Sequence, residues 1–121
     1  MQLLLAFILL PLAAAAQTLP TEFPTDAQAV PPETLRQLFS GKVRKAQPAS
    51  GAGFRLEYKE NGFVFLDTAT GFRDTGKWSV EGSHICTDFP KLQKACNEAR
   101  VQGDTVFVRR NSGEILALTP G

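Results

Sequence analysis

The stretch FRLEYKENGFVFLD, Phe54 to Asp67, constrains this chain more than any other, because its apolar residues recur with period two on both sides of an Asn-Gly pair. Side chains alternate across a strand, so period two is the mark of a β-strand. Asn61-Gly62 can take the positive φ angles of a two-residue hairpin turn. Such a turn sets Glu60 opposite Phe63, Tyr58 opposite Phe65 and Leu56 opposite Asp67. Phe54, Leu56, Tyr58, Phe63 and Phe65 then share one face. Arg55, Glu57 and Lys59 share the other with Val64 and Leu66. One-sided burial of this kind is expected of an antiparallel sheet. The aromatic face reads as core, and Tyr58 with the phenylalanines is also a candidate lining for an apolar ligand.

Further turn signals follow at Thr70-Gly71, Gly82-Ser83, Gly103-Asp104 and Ser112-Gly113. Between them lie runs rich in β-branched and aromatic residues, at 75–81, 84–89, 97–101, 105–109 and 114–118. The spacing predicts a mainly β domain over residues 33–121. It is an antiparallel β-meander, either an open curved sheet or a small up-and-down barrel, of about six to eight strands. PKLQKA, Pro90 to Ala95, reads as a connection. One short helix precedes the sheet in PPETLRQLFSGK. Leu35, Leu38 and Phe39 recur at helical spacing, and Gly41 stops the helix, so it is placed at residues 33–40. The basic residues Lys42, Arg44 and Lys45 read as a solvated strand edge, where Lys deters unwanted pairing.

Residues 1–16 are apolar apart from Gln2 and carry no charged side chain. Leu3 to Leu10 form the apolar run, Pro11 breaks it, and Ala14 and Ala16 offer the small residues of a cleavage site. This is the pattern of a secretory signal peptide. The run falls short of the roughly 20 apolar residues of a spanning helix, so no stable membrane span is expected after cleavage. The expected location is periplasmic or secreted. Residues 17–32 hold Pro20, Pro24, Pro31 and Pro32 and read as a Pro-rich flexible arm that Phe23 docks locally. Thirteen basic against twelve acidic side chains, interspersed, exclude the electrostatic footprint of a nucleic-acid binder. The two cysteines, Cys86 and Cys96, most simply pair as one disulfide in an oxidising compartment.

GKWSVEGSHIC, Gly76 to Cys86, gathers the only Trp, the only His and the first Cys. A two-residue turn at Gly82-Ser83 pairs Glu81 with His84, Val80 with Ile85, Ser79 with Cys86 and Trp78 with Thr87. Trp78, Val80 and Ile85 then face the core. Ser79, Glu81, His84 and Cys86 share the opposite face. A metal reading would use Glu81, His84 and Cys86, but one His and a Cys with a competing partner fall short of the four ligands of a structural zinc site. A catalytic reading would centre on His84 with Glu81 or Asp88 and Ser79. No Gly-x-Ser-x-Gly elbow, His-Glu-x-x-His motif, phosphate-cradling glycine loop or haem-attachment motif occurs. No cofactor is therefore expected.

GKWSVEGSHIC, the second cysteine Cys96 and then VQGDTVFVRRNSGEI resemble a group of small exported proteobacterial proteins classed as a domain of unknown function. In that group a Gly-x-Trp-x-Val-x-Gly-x-x-aliphatic-Cys stretch precedes a second Cys and a Gly-Asp turn. The segment LRQLFSGK is similar to the group's opening motif. The resemblance spans residues 35–115 and implies an exported β domain, with no catalytic residue to carry over. The function expected is that of a non-enzymatic binding or accessory protein for an envelope protein or a small ligand, with Trp78, Tyr58 and His84 as candidate binding residues. The alternatives are a small hydrolytic enzyme centred on His84 and a metal-binding protein.

Overall fold

The computed structural model describes residues 19–121, so the expected signal peptide, residues 1–16, lies outside the described residues. One helix, α1 (Pro32–Phe39), precedes eight strands. These are β1 (Lys42–Ala46), β2 (Phe54–Tyr58), β3 (Phe63–Thr68), β4 (Arg73–Glu81), β5 (His84–Asp88), β6 (Ala95–Gln102), β7 (Thr105–Arg109) and β8 (Ile115–Pro120). Each strand pairs antiparallel with the next, and β8 returns to β1, so the meander closes into an up-and-down barrel. Connections therefore alternate between two ends. Segments 47–53, 69–72, 89–94 and 110–114 lie at one end. The short turns at 59–62, 82–83 and 103–104 lie at the other, together with α1.

The first hairpin departs from the expected register. The Lys59 N–H donates to the Phe63 carbonyl at 2.8 Å and the Gly62 N–H to the Lys59 carbonyl at 3.1 Å, which closes a three-residue loop, Glu60-Asn61-Gly62. Gly62 takes φ 91° as the left-handed residue that ends it. Tyr58 consequently pairs with Val64 and Leu56 with Leu66. One residue of slip turns a whole strand over. Leu56, Tyr58, Val64 and Leu66 fill the interior, while Phe63 and Phe65 point out, 43% and 40% exposed. The single aromatic face of the sequence reading is thus replaced by an aliphatic interior with two outward phenylalanines. The β4–β5 hairpin holds its expected pairing, Glu81 with His84 through Trp78 with Thr87. There Gly82 opens the turn at φ 58°, and two-residue turns keep the simple alternation.

Closure also overturns the solvated edge expected at Lys42, Arg44 and Lys45. β1 pairs with β2 on one side and β8 on the other, and Arg44 is 3% exposed. Alternation points Lys45 to solvent and Arg44 inward, and Lys42, in the inward register, is exposed where the strand begins. Its guanidinium donates to the carbonyls of Leu38 (2.7 Å), Leu118 (3.3 Å) and Asp104. One side chain thus ties the last turn of α1 to the β6–β7 turn and to strand β8 at the closed end. Leu35 and Phe39 of α1 are fully buried there, and the Phe39 ring meets Tyr58 edge-on at 4.8 Å.

Cys86 and Cys96 are directly opposed on β5 and β6 and form the expected disulfide. It clamps the neighbouring strand pair rather than the β4–β5 hairpin. Outside the barrel, the Pro-rich segment runs along β6 to β8. Gln28 bridges Val101, the Pro20 carbonyl accepts from the Ile115 N–H at 2.7 Å, and Phe23 lies under the guanidinium groups of Arg100 and Arg109, 4.5 and 5.1 Å from its ring centre.

Candidate functional site

The interior is not filled along its whole length. A cavity of about 620 Å³ runs from the open end toward Tyr58. All four connections of that end contribute to its mouth, through Ser50, Phe72, Leu92 and Arg110 among others. Deeper, Leu56, Leu66, Ile85, Val108, Leu116 and Leu118 form the wall. The volume falls within the range of small-molecule sites, roughly 300–1,000 Å³. The sequence makes this room with small inward residues on β6. Ala95, Asn97, Ala99 and Val101 alternate with outward ones, and large side chains at Ala95 and Asn97, which line the cavity, would fill the space.

The floor is aromatic. Tyr58 contacts Phe39 and Trp78, with its ring centre 5.5 Å from that of Trp78. The Trp78 indole N–H donates to the Lys59 carbonyl at 2.8 Å, which fixes the ring. Burial pushes the Tyr58 phenol well above its ordinary range, and the Arg44 charge opposes this only in part. The phenol is therefore neutral, and the floor presents no anion to a ligand. Desolvation acts on Arg44 too and lowers its pKa, with Tyr58 and Asp104 working the other way.

Thr68, Thr87, Gln93, Asn111 and Ser112 add polar groups to the lining, and two further polar features stand out. Asn97, on β6 opposite Ile85, faces inward one side-chain layer below Ala95. Its side-chain oxygen Oδ1 is buried and accepts no hydrogen bond among the described residues. Buried polar atoms are nearly always satisfied, so an orphan acceptor in the wall of a cavity is an unusual feature. At the mouth, Arg110 pairs with the buried Glu114 at 3.3 Å, and the Ser50 hydroxyl donates to the other carboxylate oxygen at 3.3 Å. The charge at the mouth is thereby compensated within the protein.

The three residues singled out from sequence part company. Tyr58 lines the cavity and Trp78 braces it from behind. His84 lies on the outer surface, exposed, between Glu81 and Glu98 in the strand register, and its side chain makes no hydrogen bond among the described residues. Glu81, Cys86 and Cys96 offer atoms close enough to share an ion, but both sulfurs are joined in the disulfide and are not thiolates. His84 stands outside that group. Asn97 and the Arg110–Glu114 pair escaped the sequence reading. The signal for Asn97 was present as a polar residue in the inward register of A-x-N-x-A-x-V, but the reading began that strand at residue 97 and left its inward face unassigned.

No protein-family model, curated protein or solved structure matches the chain. Among the described residues no helix is long and apolar enough to cross a membrane. The strands carry Arg55, Lys77, Glu81 and His84 outward and aliphatic residues inward, the reverse of a membrane-spanning barrel with its lipid-facing apolar band.

Proposed function

We propose that the protein is an exported, non-enzymatic binding protein whose barrel cavity holds a small, largely apolar ligand. The observation that carries this reading is the cavity itself, closed at one end by α1 and the Tyr58–Trp78–Phe39 cluster and open at the other through four loops. An apolar wall with a few placed polar groups is the common form of a small-molecule site. Export is supported by the Cys86–Cys96 disulfide, since such bonds persist in oxidising compartments, and by the apolar run Leu3 to Leu10. The two together support a periplasmic or secreted carrier.

Native mass spectrometry of protein purified without detergent tests the reading, alongside titration with an environment-sensitive apolar dye. A co-purifying mass or a saturable one-to-one dye signal is expected. Ala95→Trp places a large ring in the mouth, where the native side chain leaves space, and should abolish both signals with the fold intact by circular dichroism. His84→Ala, on the outer face, should leave both unchanged. Loss of the signals in His84→Ala and their survival in Ala95→Trp would move the function to the outer face.

A further inference from the structure

We infer that the Cys86–Cys96 disulfide is a redox latch on the cavity mouth. With the bond formed the mouth grips its ligand, and a dithiol that reduces the bond loosens the wall and releases it. The inference rests on the cavity reading and adds how that site is regulated. The position of the bond is its first support. The ring that the disulfide closes, residues 86–96, is itself cavity wall, through Thr87, Phe89, Leu92, Gln93 and Ala95. Only one rung of the β5–β6 ladder, Thr87 with Ala95, lies between the disulfide and the connection at 89–94. Residues 90–94 are exposed, and three hydrogen bonds hold that stretch. The Lys91 N–H donates to the Asp74 carboxylate at 3.0 Å, the Lys91 ammonium to the Arg73 carbonyl at 3.4 Å and the Leu92 N–H to the Phe89 carbonyl at 3.1 Å. A segment so sparsely tied opens locally at low free energy once the covalent rung is gone. On the far side of the disulfide, Ile85 with Asn97 and His84 with Glu98 keep the strands paired, so the barrel stays closed in both forms.

The second support is the unequal setting of the two cysteines. Cys96 points outward between the inward Ala95 and Asn97 and is exposed, whereas Cys86 is 3% exposed. A thiolate of an external dithiol, such as a Cys-x-x-Cys pair, therefore attacks Cys96 Sγ. The Sγ–Sγ bond breaks, a mixed disulfide forms at Cys96, and Cys86 leaves as a thiolate that takes up a proton. The reductant's second thiol then displaces Cys96, which is protonated in turn. Two electrons have passed to the protein, and the reductant ends as a disulfide. The reverse exchange closes the latch again. Linkage makes the device reciprocal: whatever factor reduction takes from the affinity, bound ligand returns as resistance to reduction.

Titration of the uncharged dye N-phenyl-1-naphthylamine into the full mature chain tests this, in the disulfide form and after reduction by dithiothreitol. The reduced form should bind roughly tenfold more weakly, mainly through faster release. In dithiothreitol redox buffers read by thiol labelling, saturating dye should shift the equilibrium toward the disulfide by the same factor, about 30 mV. The double variant Cys86→Ser, Cys96→Ser should bind as the reduced form does, with or without dithiothreitol. Leu35→Ala loosens the closed end, away from the cavity lining, and should leave the affinity of the disulfide form unchanged. Equal affinity of the two forms overturns the latch and leaves the cavity as a binding site. A loss in Leu35→Ala equal to the loss on reduction also overturns it, as does a reduced chain without folded circular dichroism, since the bond is then only a staple. Binding to neither form removes the latch, and the native mass spectrum then decides whether the cavity reading falls with it.

Discussion

Arg44 illustrates how one buried charge can organise a closed end. Its hydrogen bonds go to the carbonyls of Leu38 in the last turn of α1, Asp104 in the β6–β7 turn and Leu118 in β8. Arg44→Ala removes all of these bonds, of which only the one to Leu118 is buried, and a buried group left unsatisfied costs about 1–3 kcal/mol. The expected loss is on the order of 2–3 kcal/mol in urea unfolding once the partly buried bonds are added, with Arg44→Lys intermediate because a single ammonium cannot span the fork. Tyr58, the only tyrosine, gives a second expectation at this scale. Its folded pKa is raised by burial above the unfolded value of about 10. The native state then holds a proton that the unfolded chain releases, so stability is full below about pH 10 and falls as pH rises beyond it, by about 1.4 kcal/mol per pH unit. Phenolate absorbance should therefore appear only as the protein unfolds, and Tyr58→Phe should flatten that part of the alkaline slope. An early, reversible phenolate signal from folded protein would contradict the placement of the ring. Tyr58 was legible as an inward residue from its alternation with Arg55, Glu57 and Lys59. Arg44 was not, because KVRK reads as surface until closure supplies a second strand and a helix end to satisfy it.

At the scale of elements, turn length decided what the sequence revealed. Where Gly stands last in the loop, as in Glu60-Asn61-Gly62, Ala69-Thr70-Gly71 and Asn111-Ser112-Gly113, three residues lie between the hydrogen-bonded residues that close the turn. Where Gly stands first, as in Gly82-Ser83 and Gly103-Asp104, two residues suffice. Reading Asn61-Gly62 as a two-residue turn moved β3 by one position and put Phe63 and Phe65 inside. The same treatment at Gly82-Ser83 was correct, because there the positive φ falls on the first loop position. The strand count, the helix and the disulfide depend on local signals and survive either register. Which side chains line the barrel does not. The disulfide between β5 and β6 adds an element-scale expectation. It closes a ring spanning ten residues of separation, for which chain entropy gives about 2–3 kcal/mol. Replacing both cysteines by Ala should lower the melting temperature by about 10–20 °C in a domain of this size. Since Cys96 stands between Ala95 and Asn97, which both line the cavity, the same variant should also weaken ligand binding more than a distant destabilising change of equal size does.

For the molecule as a whole, the two ends of the barrel have opposite characters. At the α1 end, Phe39, Leu35, Val64 and Val106 are fully buried and Arg44 knits the turns together. At the other end the loops surround an unfilled mouth, with Phe72 and Leu92 exposed at its rim. Regions with few buried contacts open at low free energy, whereas core strands exchange only near global unfolding. Amide hydrogen exchange should therefore be graded along the barrel axis. Segments 69–72, 89–94 and 110–114 exchange first, and the halves of β2, β3 and β6 nearest α1 exchange last. A ligand in the cavity touches the mouth and the middle of the barrel, so it should slow the first group strongly. It should slow the last group only by the global stabilisation, about 2.7 kcal/mol at a hundredfold excess over Kd. Equal protection at both ends would mean that binding is felt only through overall stability and does not engage the mouth. Selective slowing at the α1 end would place the ligand on the wrong side of Tyr58. The gradient thus reads the direction of entry from backbone amides alone, independently of any side-chain substitution in the cavity.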